Sequence, residues 1–400
     1  MIFYFKNSKY KYIIIIILLL LLLNILLYYV LTYTYNGSFN EIKNYLKDCF
    51  SSNSYHSKSL FIKRNNPKIS IIIPTFNGEI YLKHSLRSIQ NQNFSDIEII
   101  IIDDNSRDNS IEIINELMKE DQRIKLIKNN LNRGTLYSKT KGVLNAKGKY
   151  IMTLDHDDLY TKKYVFSKLY NEAENDNLDF IGFASITSSI DLKHLKKSNF
   201  INYLKTSTIK KPNIQKRFLG FNSEQSGPFL CHYFIKRQLF LKVINLLGDE
   251  FINRNIDSHD DTILMFLISR NALSFKHLKE IFYIILIWPR EYSSSLTFQK
   301  KVKILERERK KCFSYLTFCE ILLLFTENNV HDKKIASNHF LYWYMKKGKC
   351  HYKNGFINDT LRITSLFLKN PYISRYAKKE IIFNLKAINI QFNSNISFYI

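Results

Sequence analysis

Tyr150-Ile151-Met152-Thr153-Leu154-Asp155-His156-Asp157-Asp158 decides how this chain is read. A short apolar run ends abruptly in three carboxylates and a histidine. A buried strand does not tolerate such a cluster, because uncompensated buried carboxylates are expensive. The acids therefore lie beyond the strand's end, in water or around something cationic. Asp155 and Asp157, one residue apart, set two hard oxygen donors on one turn. That pattern suits a Mg²⁺ or Mn²⁺ that also holds substrate phosphates. The simpler alternative is an acidic turn that stops a strand.

Three similar strands precede this one. Lys68–Pro74 is short, β-branched and stopped by proline, as a fully buried strand should be. Leu82, Leu86 and Ile89 then fall on one helix face. Ile97–Ile102 is a second buried strand and runs into Asp103-Asp104-Asn105-Ser106. Ile111, Ile114, Leu117 and Met118 mark a helix, Ile124–Ile127 a third strand, and Asn132-Arg133-Gly134 opens a helix to about Ala146. Alternating strands and helices predict an α/β fold with a mostly parallel sheet flanked by helices. Ligands of such sheets bind beyond the carboxyl ends of the strands. That edge carries Pro74, Thr75 and Asn77, then Asp103 and Asp104, then Asp155 and Asp157. The first strand lacks a Gly-x-Gly-x-x-Gly turn, and no Gly-x-x-x-x-Gly-Lys-Ser/Thr occurs, which disfavours dehydrogenase-type and P-loop nucleotide sites.

In order and spacing, Ile-Ile-Ile-Pro-Thr-Phe-Asn (71–77), Ser-Ile-Gln-Asn-Gln-Asn-Phe (88–94), Glu-Ile-Ile-Ile-Ile-Asp-Asp-Asn-Ser (98–106), Asn-Arg-Gly (132–134), Ala-Lys-Gly-Lys-Tyr-Ile (146–151) and Leu-Asp-His-Asp-Asp (154–158) resemble the family 2 glycosyltransferases of the GT-A fold. The resemblance implies a nucleotide-sugar donor, with Asp104, joined by Asp103, on the base. It places Asp155 on the ribose or metal and Asp157 on the metal. Many relatives have arginine in an Ala-Arg-Asn-x-Gly helix; here the residues are Ser138-Lys139-Thr140-Lys141-Gly142. Lys139 keeps the charge but loses the planar fork, and the resemblance implies that it binds the nucleotide sugar, at the base or ribose. His259-Asp260-Asp261 precedes an apolar helix face of Ile263, Leu264, Phe266 and Leu267. Two acids at a helix start also complement its dipole. The family has an acidic pair here, usually Glu-Asp, whose second member is the general base; Asp261 matches it and Asp260 replaces the glutamate. Arg290, after a buried strand at Ile281–Ile287, is a candidate for the diphosphate. The Gln-x-x-Arg-Trp signature of processive synthases is absent.

Residues 12–31 are apolar apart from Asn24. At roughly 1.5 Å per residue they span roughly 30 Å, the hydrocarbon thickness of a bilayer. Tyrosines rather than a small-residue cleavage site follow, so a retained anchor is expected. Lys6, Lys9 and Lys11 precede it, which predicts a cytosolic N-terminus and a lumenal catalytic region, in the Golgi or endoplasmic reticulum. The domain plan is then a tail (1–11), an anchor (12–31), a stem (32–66) partly helical near Glu41–Phe50, a nucleotide-sugar half (67–175), an acceptor half (176–298) and a helical extension (299–400). The formal charge is +24, from 59 Lys+Arg against 35 Asp+Glu. The basic residues are dispersed, without an Arg-rich block or zinc-finger spacing, so no nucleic-acid partner is expected. No Cys-x-x-Cys occurs, and an odd count of 5 cysteines leaves at least one thiol outside any internal pairing.

The leading expectation is a membrane-anchored, metal-dependent, inverting glycosyltransferase of the hexosyl or N-acetylhexosaminyl class. Its donor would be a UDP-sugar before other nucleotide sugars, and its acceptor a glycan, protein or lipid hydroxyl. The rivals are a non-catalytic binding or scaffolding descendant of the same fold, and a nucleotidyltransferase, whose Gly-rich basic signature is missing near the first strand.

Overall fold

The computed structural model describes residues 65–189 and 229–288 continuously. It also describes the helix at 301–326 and short pieces at 40–45, 47, 49–50, 62–63, 196–197, 207–211, 213–214, 363–365, 368–369 and 378–379. Residues 1–54 form one compact unit, in which helical turns lie within 40–50 and Ile42, Tyr45 and Cys49 are buried. Residues 55–400 form the other.

In this larger unit β1 (Ile69–Thr75), β2 (Ile97–Asp103), β3 (Ile124–Lys128) and β4 (Tyr150–Thr153) are parallel neighbours in the order β3-β2-β1-β4. Helices α1 (Leu82–Gln90), α2 (Ser110–Glu120) and α3 (Thr135–Asn145) connect them. Every residue of β1 is buried, as a central parallel strand covered on both faces requires. Its side chains alternate between two cores. Ile69, Ile71 and Ile73 pack with Leu82, Leu86 and Ile89 of α1, while Ile72 packs with Leu136 and Val143 of α3. Burying each such leucine stabilises the fold by roughly 1.5–3 kcal/mol.

Beyond β4 the sheet departs from the expected, mostly parallel pattern. It continues through β9 (Tyr233–Lys236), β6 (Phe180–Ser189), β10 (Ser274–Ile287) and β5 (Leu159–Tyr160). β9 runs antiparallel to both β4 and β6, whereas β10 is parallel to β6 and antiparallel to β5. The pairs β7 (Lys196–Lys197) and β8 (Ile209–Lys210) sit on β6 and β10. The sequence reading began the last long strand at Ile281. It begins at Ser274, because Lys276, Lys279 and Glu280 interrupt the apolar signal along a strand whose register shifts twice.

Three further helices close the layers. They are α4 (Val165–Asn175), α5 (Arg237–Ile252) and α6 (Asp260–Asn271). Ile263 through Ile268 of α6 are all buried, so it is a central helix rather than an amphipathic one. α7 (Lys301–Thr326) contributes Leu316, Phe318, Cys319, Ile321 and Leu322 to the same core. The start of the expected extension is thus part of this unit. Arg254 reaches Glu320 at 2.6 Å, and Lys310 reaches Asp257 at 3.0 Å. Among the described residues no helix is long and apolar enough to cross a membrane; residues 12–31 lie outside them.

Candidate active site

Strand order reverses between β1 and β4, so the crevice beyond Thr75 and Thr153 is the switch point where this architecture binds ligands. Three loops border it, and their polar groups divide between holding the loops together and facing the crevice.

The loop after β1 is fastened to the loop after β2. Asn77 adopts a left-handed backbone, with φ 52°. Its amide donates to Ser106 Oγ at 2.9 Å and its side-chain oxygen accepts from the Arg107 amide at 2.9 Å. The Pro74 carbonyl accepts from His156 Nδ1 at 3.2 Å, and the Thr75 carbonyl accepts from the Asp104 amide at 2.8 Å. Asp104 is committed to the chain. Its Oδ1 accepts from Asn129 Nδ2 at 2.7 Å and from the Arg133 amide at 2.9 Å, and its Oδ2 accepts from the Gly134 amide at 2.9 Å. Gly134 needs its φ of 82°, and a Cβ there would stand 2.7 Å from the Ile256 carbonyl. Asp103 is different. Its Oδ2 accepts from the Ser106 amide at 3.2 Å, but its Oδ1 is buried without a hydrogen-bond partner, and so is Thr153 Oγ1. Unsatisfied buried acceptors at strand ends are costly and mark places where a ligand completes the bonding.

The acidic turn after β4 splits the same way. Asp158 is buried; it accepts from Tyr283 Oη at 2.9 Å and from the Leu286 amide at 3.0 Å. Burial, then the neighbouring Asp157 and Asp155 charges, push its carboxyl well above the usual range. The Asp155 amide donates to Tyr283 Oη at 3.3 Å, and Trp288 Nε1 donates to the Asp157 carbonyl at 2.9 Å. The end of β10 therefore fixes the turn. The Asp155 and Asp157 carboxylates make no hydrogen bond or ion pair among the described residues. Burial pushes the Asp155 carboxyl up, while Lys139 pulls it down. No group of three or more His, Cys, Asp or Glu side chains assembles to hold a metal among the described residues. Two uncommitted carboxylates fit a hard divalent cation that draws its other oxygens from a diphosphate and water.

Asp260 and Asp261 open α6 after His259, which has φ 62°. No side chain caps this helix, so neither acid is consumed as an N-cap. Lys139 Nζ donates to Asp260 Oδ2 at 2.7 Å and to Asp261 Oδ1 at 2.6 Å. The lysine is only 4% exposed and Asp260 6%. Burial pulls the Lys139 ammonium down, but Asp260, Asp261 and Asp155 together hold it protonated, well above its usual value. Burial is the largest influence on Asp261 and pushes it up to about 7, against Lys139 and with Asp260 and Asp155. Nearby, His232 packs edge-on against Tyr283 with centroids 5.3 Å apart, its Nε2 buried and unpartnered. Burial lowers its pKa to about 4, so it is neutral at ordinary pH.

The structure thus brings Lys139, Asp155, Asp260 and Asp261 together, with Asp103 and Asp157 at the same strand edge. Arg290 lies outside the described residues. Sequence reading missed the bond between Lys139 and the acids, and the roles of Asp158, Tyr283 and Trp288. One signal was present: Lys139 falls between Leu136 and Val143 on the buried face of its helix, and a buried lysine requires carboxylates.

Residues 70–238 match the family model "Glycosyl transferase family 2". EpsJ of Bacillus subtilis (strain 168), an uncharacterized glycosyltransferase, is 32% identical over 232 residues, or 58% of this chain and 63% of EpsJ. The GalNAc(5)-diNAcBac-PP-undecaprenol beta-1,3-glucosyltransferase of Campylobacter jejuni is 44% identical over 93 residues, or 23% of this chain and 30% of that enzyme. The chain therefore spans less than two thirds of the length of either relative. S. aureus TarS 1-349 in complex with UDP-GlcNAc superposes with a TM-score of 0.55 at 14% identity, covering 80% of this chain and 85% of that one. At that identity the likeness is one of fold. Sheet order, crevice and sequence match agree: residues 70–238 match the model of family 2 glycosyltransferases, and the fold is an α/β fold of the GT-A kind.

Proposed function

We propose that this protein transfers a hexose or N-acetylhexosamine from a UDP-sugar to an acceptor hydroxyl, by an inverting single displacement that requires Mg²⁺ or Mn²⁺. The observation that carries the reading is Asp261 at the start of α6: no side chain caps that helix, Lys139 Nζ holds this carboxylate at 2.6 Å, and burial pushes it up to about 7 with the Asp155 charge acting on it. A general base works best with a pKa near the operating pH. Structural neighbours solved with UDP and with UDP-GlcNAc support the donor class.

In this mechanism Asp103 Oδ1 accepts a hydrogen bond from the nucleobase, the role that the sequence reading gave first to Asp104, joined by Asp103; the Asp104 carboxylate is bonded to Asn129, Arg133 and Gly134 instead. Asp155 and Asp157 would hold the cation, which would supply stabilisation of the negative charge on the departing diphosphate. Asp261 takes the proton of the acceptor hydroxyl as its oxygen attacks the anomeric carbon from the face opposite the leaving group. The C–O bond to the diphosphate breaks as the new glycosidic bond forms. Residues 12–31 anchor the chain in a membrane, with the catalytic unit on the side opposite the N-terminus.

Asp261→Asn tests the reading. Transfer should fall by about 10²–10⁴-fold, while metal-dependent UDP affinity measured by calorimetry stays near wild type. Undiminished transfer in the variant removes Asp261 from the chemistry. Donor binding without transfer in wild-type protein, across a panel of acceptors, would indicate a binding module.

A further inference from the structure

Lys139 and the acid pair lie 121 and 122 residues apart in sequence, yet form bonds of 2.7 and 2.6 Å in a buried setting. Three local features bring them together. Gly142, one turn beyond Lys139, lets α3 lie hard against the sheet; a Cβ there would be 2.3 Å from Ile72 Cγ2. The segment before α6 is tied to the start of α3, where the Leu136 amide donates to the Ile256 carbonyl at 3.2 Å and Arg133 Nη2 donates to Asn253 Oδ1 at 2.6 Å. The left-handed His259 then turns the chain so that Asp260 and Asp261 start the helix facing α3. Lys139 and Asp260 both depart from the motifs that the sequence resembles, and they are partners in space.

We infer that Lys139 is a positioning residue for the acceptor side of the reaction: it fixes the Asp260–Asp261 pair in one orientation rather than binding the nucleotide. The inference rests on the proposed role of Asp261. The geometry supports it because two of the three ammonium donors are already spent on the pair. The Asp155 charge also acts on the ammonium and helps to hold it protonated. The charged and titratable groups that face Asp261 are Lys139 from α3, Asp260 beside it, Asp155 from the turn after β4, and the Cys231 thiol from the turn before β9.

The test compares wild type, Lys139→Met and Lys139→Arg, each as the full chain. Lys139→Met should leave the affinity for UDP with Mn²⁺ within about twofold of wild type and cut sugar transfer by at least about 10²-fold at neutral pH. Lys139→Arg, which keeps the cation, should recover part of the transfer. A carboxylate ¹³C NMR titration, with the Asp261 resonance assigned from Asp261→Asn, should show its midpoint rise by about 1–3 pH units in Lys139→Met. Should Lys139→Met not fold, Lys139→Met/Asp260→Asn removes one buried charge together with its partner. The Asp261 midpoint should still rise there, because Lys139 bonds Asp261 directly at 2.6 Å. Loss of UDP affinity in step with loss of transfer would overturn the inference and make Lys139 a donor ligand. An unmoved Asp261 midpoint would also overturn it. The titration separates the two ideas: wild-type protein that transfers no sugar defeats the proposed function, while the midpoint shift still reports on the lysine.

Discussion

At the scale of the residue, the site is a contest between burial and charge. Asp261 must be deprotonated to receive a proton, and it is pushed up to about 7. Transfer measured as kcat/KM should therefore climb about tenfold per pH unit below that value and level off above it. A profile flat from pH 5 to 8 would contradict a base with this environment. Asp157 invites a second measurement, since its carboxylate has no partner among the described residues. Asp157→Asn keeps the size and the Trp288 bond to the backbone carbonyl, but removes one negative oxygen donor. Turnover should drop by orders of magnitude with the melting temperature unchanged, and the Mn²⁺ concentration at half-activity should rise. Wild-type turnover indifferent to a chelator would end the metal assignment. The Asp155–Asp158 cluster was legible in sequence because four polar residues ending an apolar run have few structural explanations. The division of labour within it was not, because Asp158 owes its structural role to Tyr283 and Leu286, more than 120 positions away.

At the scale of the element, α3 is the part on which geometry depends most. Its contact at Gly142 sets how deeply Lys139 reaches under the strand edge. Gly142→Ala gains helix propensity of nearly 1 kcal/mol. It also forces a methyl group to 2.3 Å from Ile72 Cγ2 and 2.9 Å from Ile102 Cδ1. Overpacking of this kind costs about 1–3 kcal/mol, so a net loss of stability is expected in urea unfolding, with transfer impaired beyond the loss of folded protein. A variant as stable and as active as wild type would show that α3 has room to move. The first four strands and the three helices between them could be read from sequence, since each is a clean apolar run or stripe. β9 and α5 could not: Tyr233–Lys236 is four residues long, too short for a period to show.

At the scale of the whole molecule, the strand edge proposed to bind the donor and the proposed base belong to different parts of the chain. The family match ends at residue 238, and α6 begins at Asp260. The membrane proposal also belongs here. Full-length protein should sediment with membranes through a high-salt wash and be released by detergent, while deletion of residues 2–35 should give protein that stays in the supernatant. Release of the full chain by salt alone would show that residues 12–31 are no anchor. The bond from Lys139 to Asp260 and Asp261 crosses the end of the family match, and that has a consequence for anyone recombining such proteins. A chimera joined near residue 238 takes its cation from one parent and its acids from the other. Both halves can be sound and the hybrid still inert, because what each parent inherits as a single matched contact has been divided between two pedigrees.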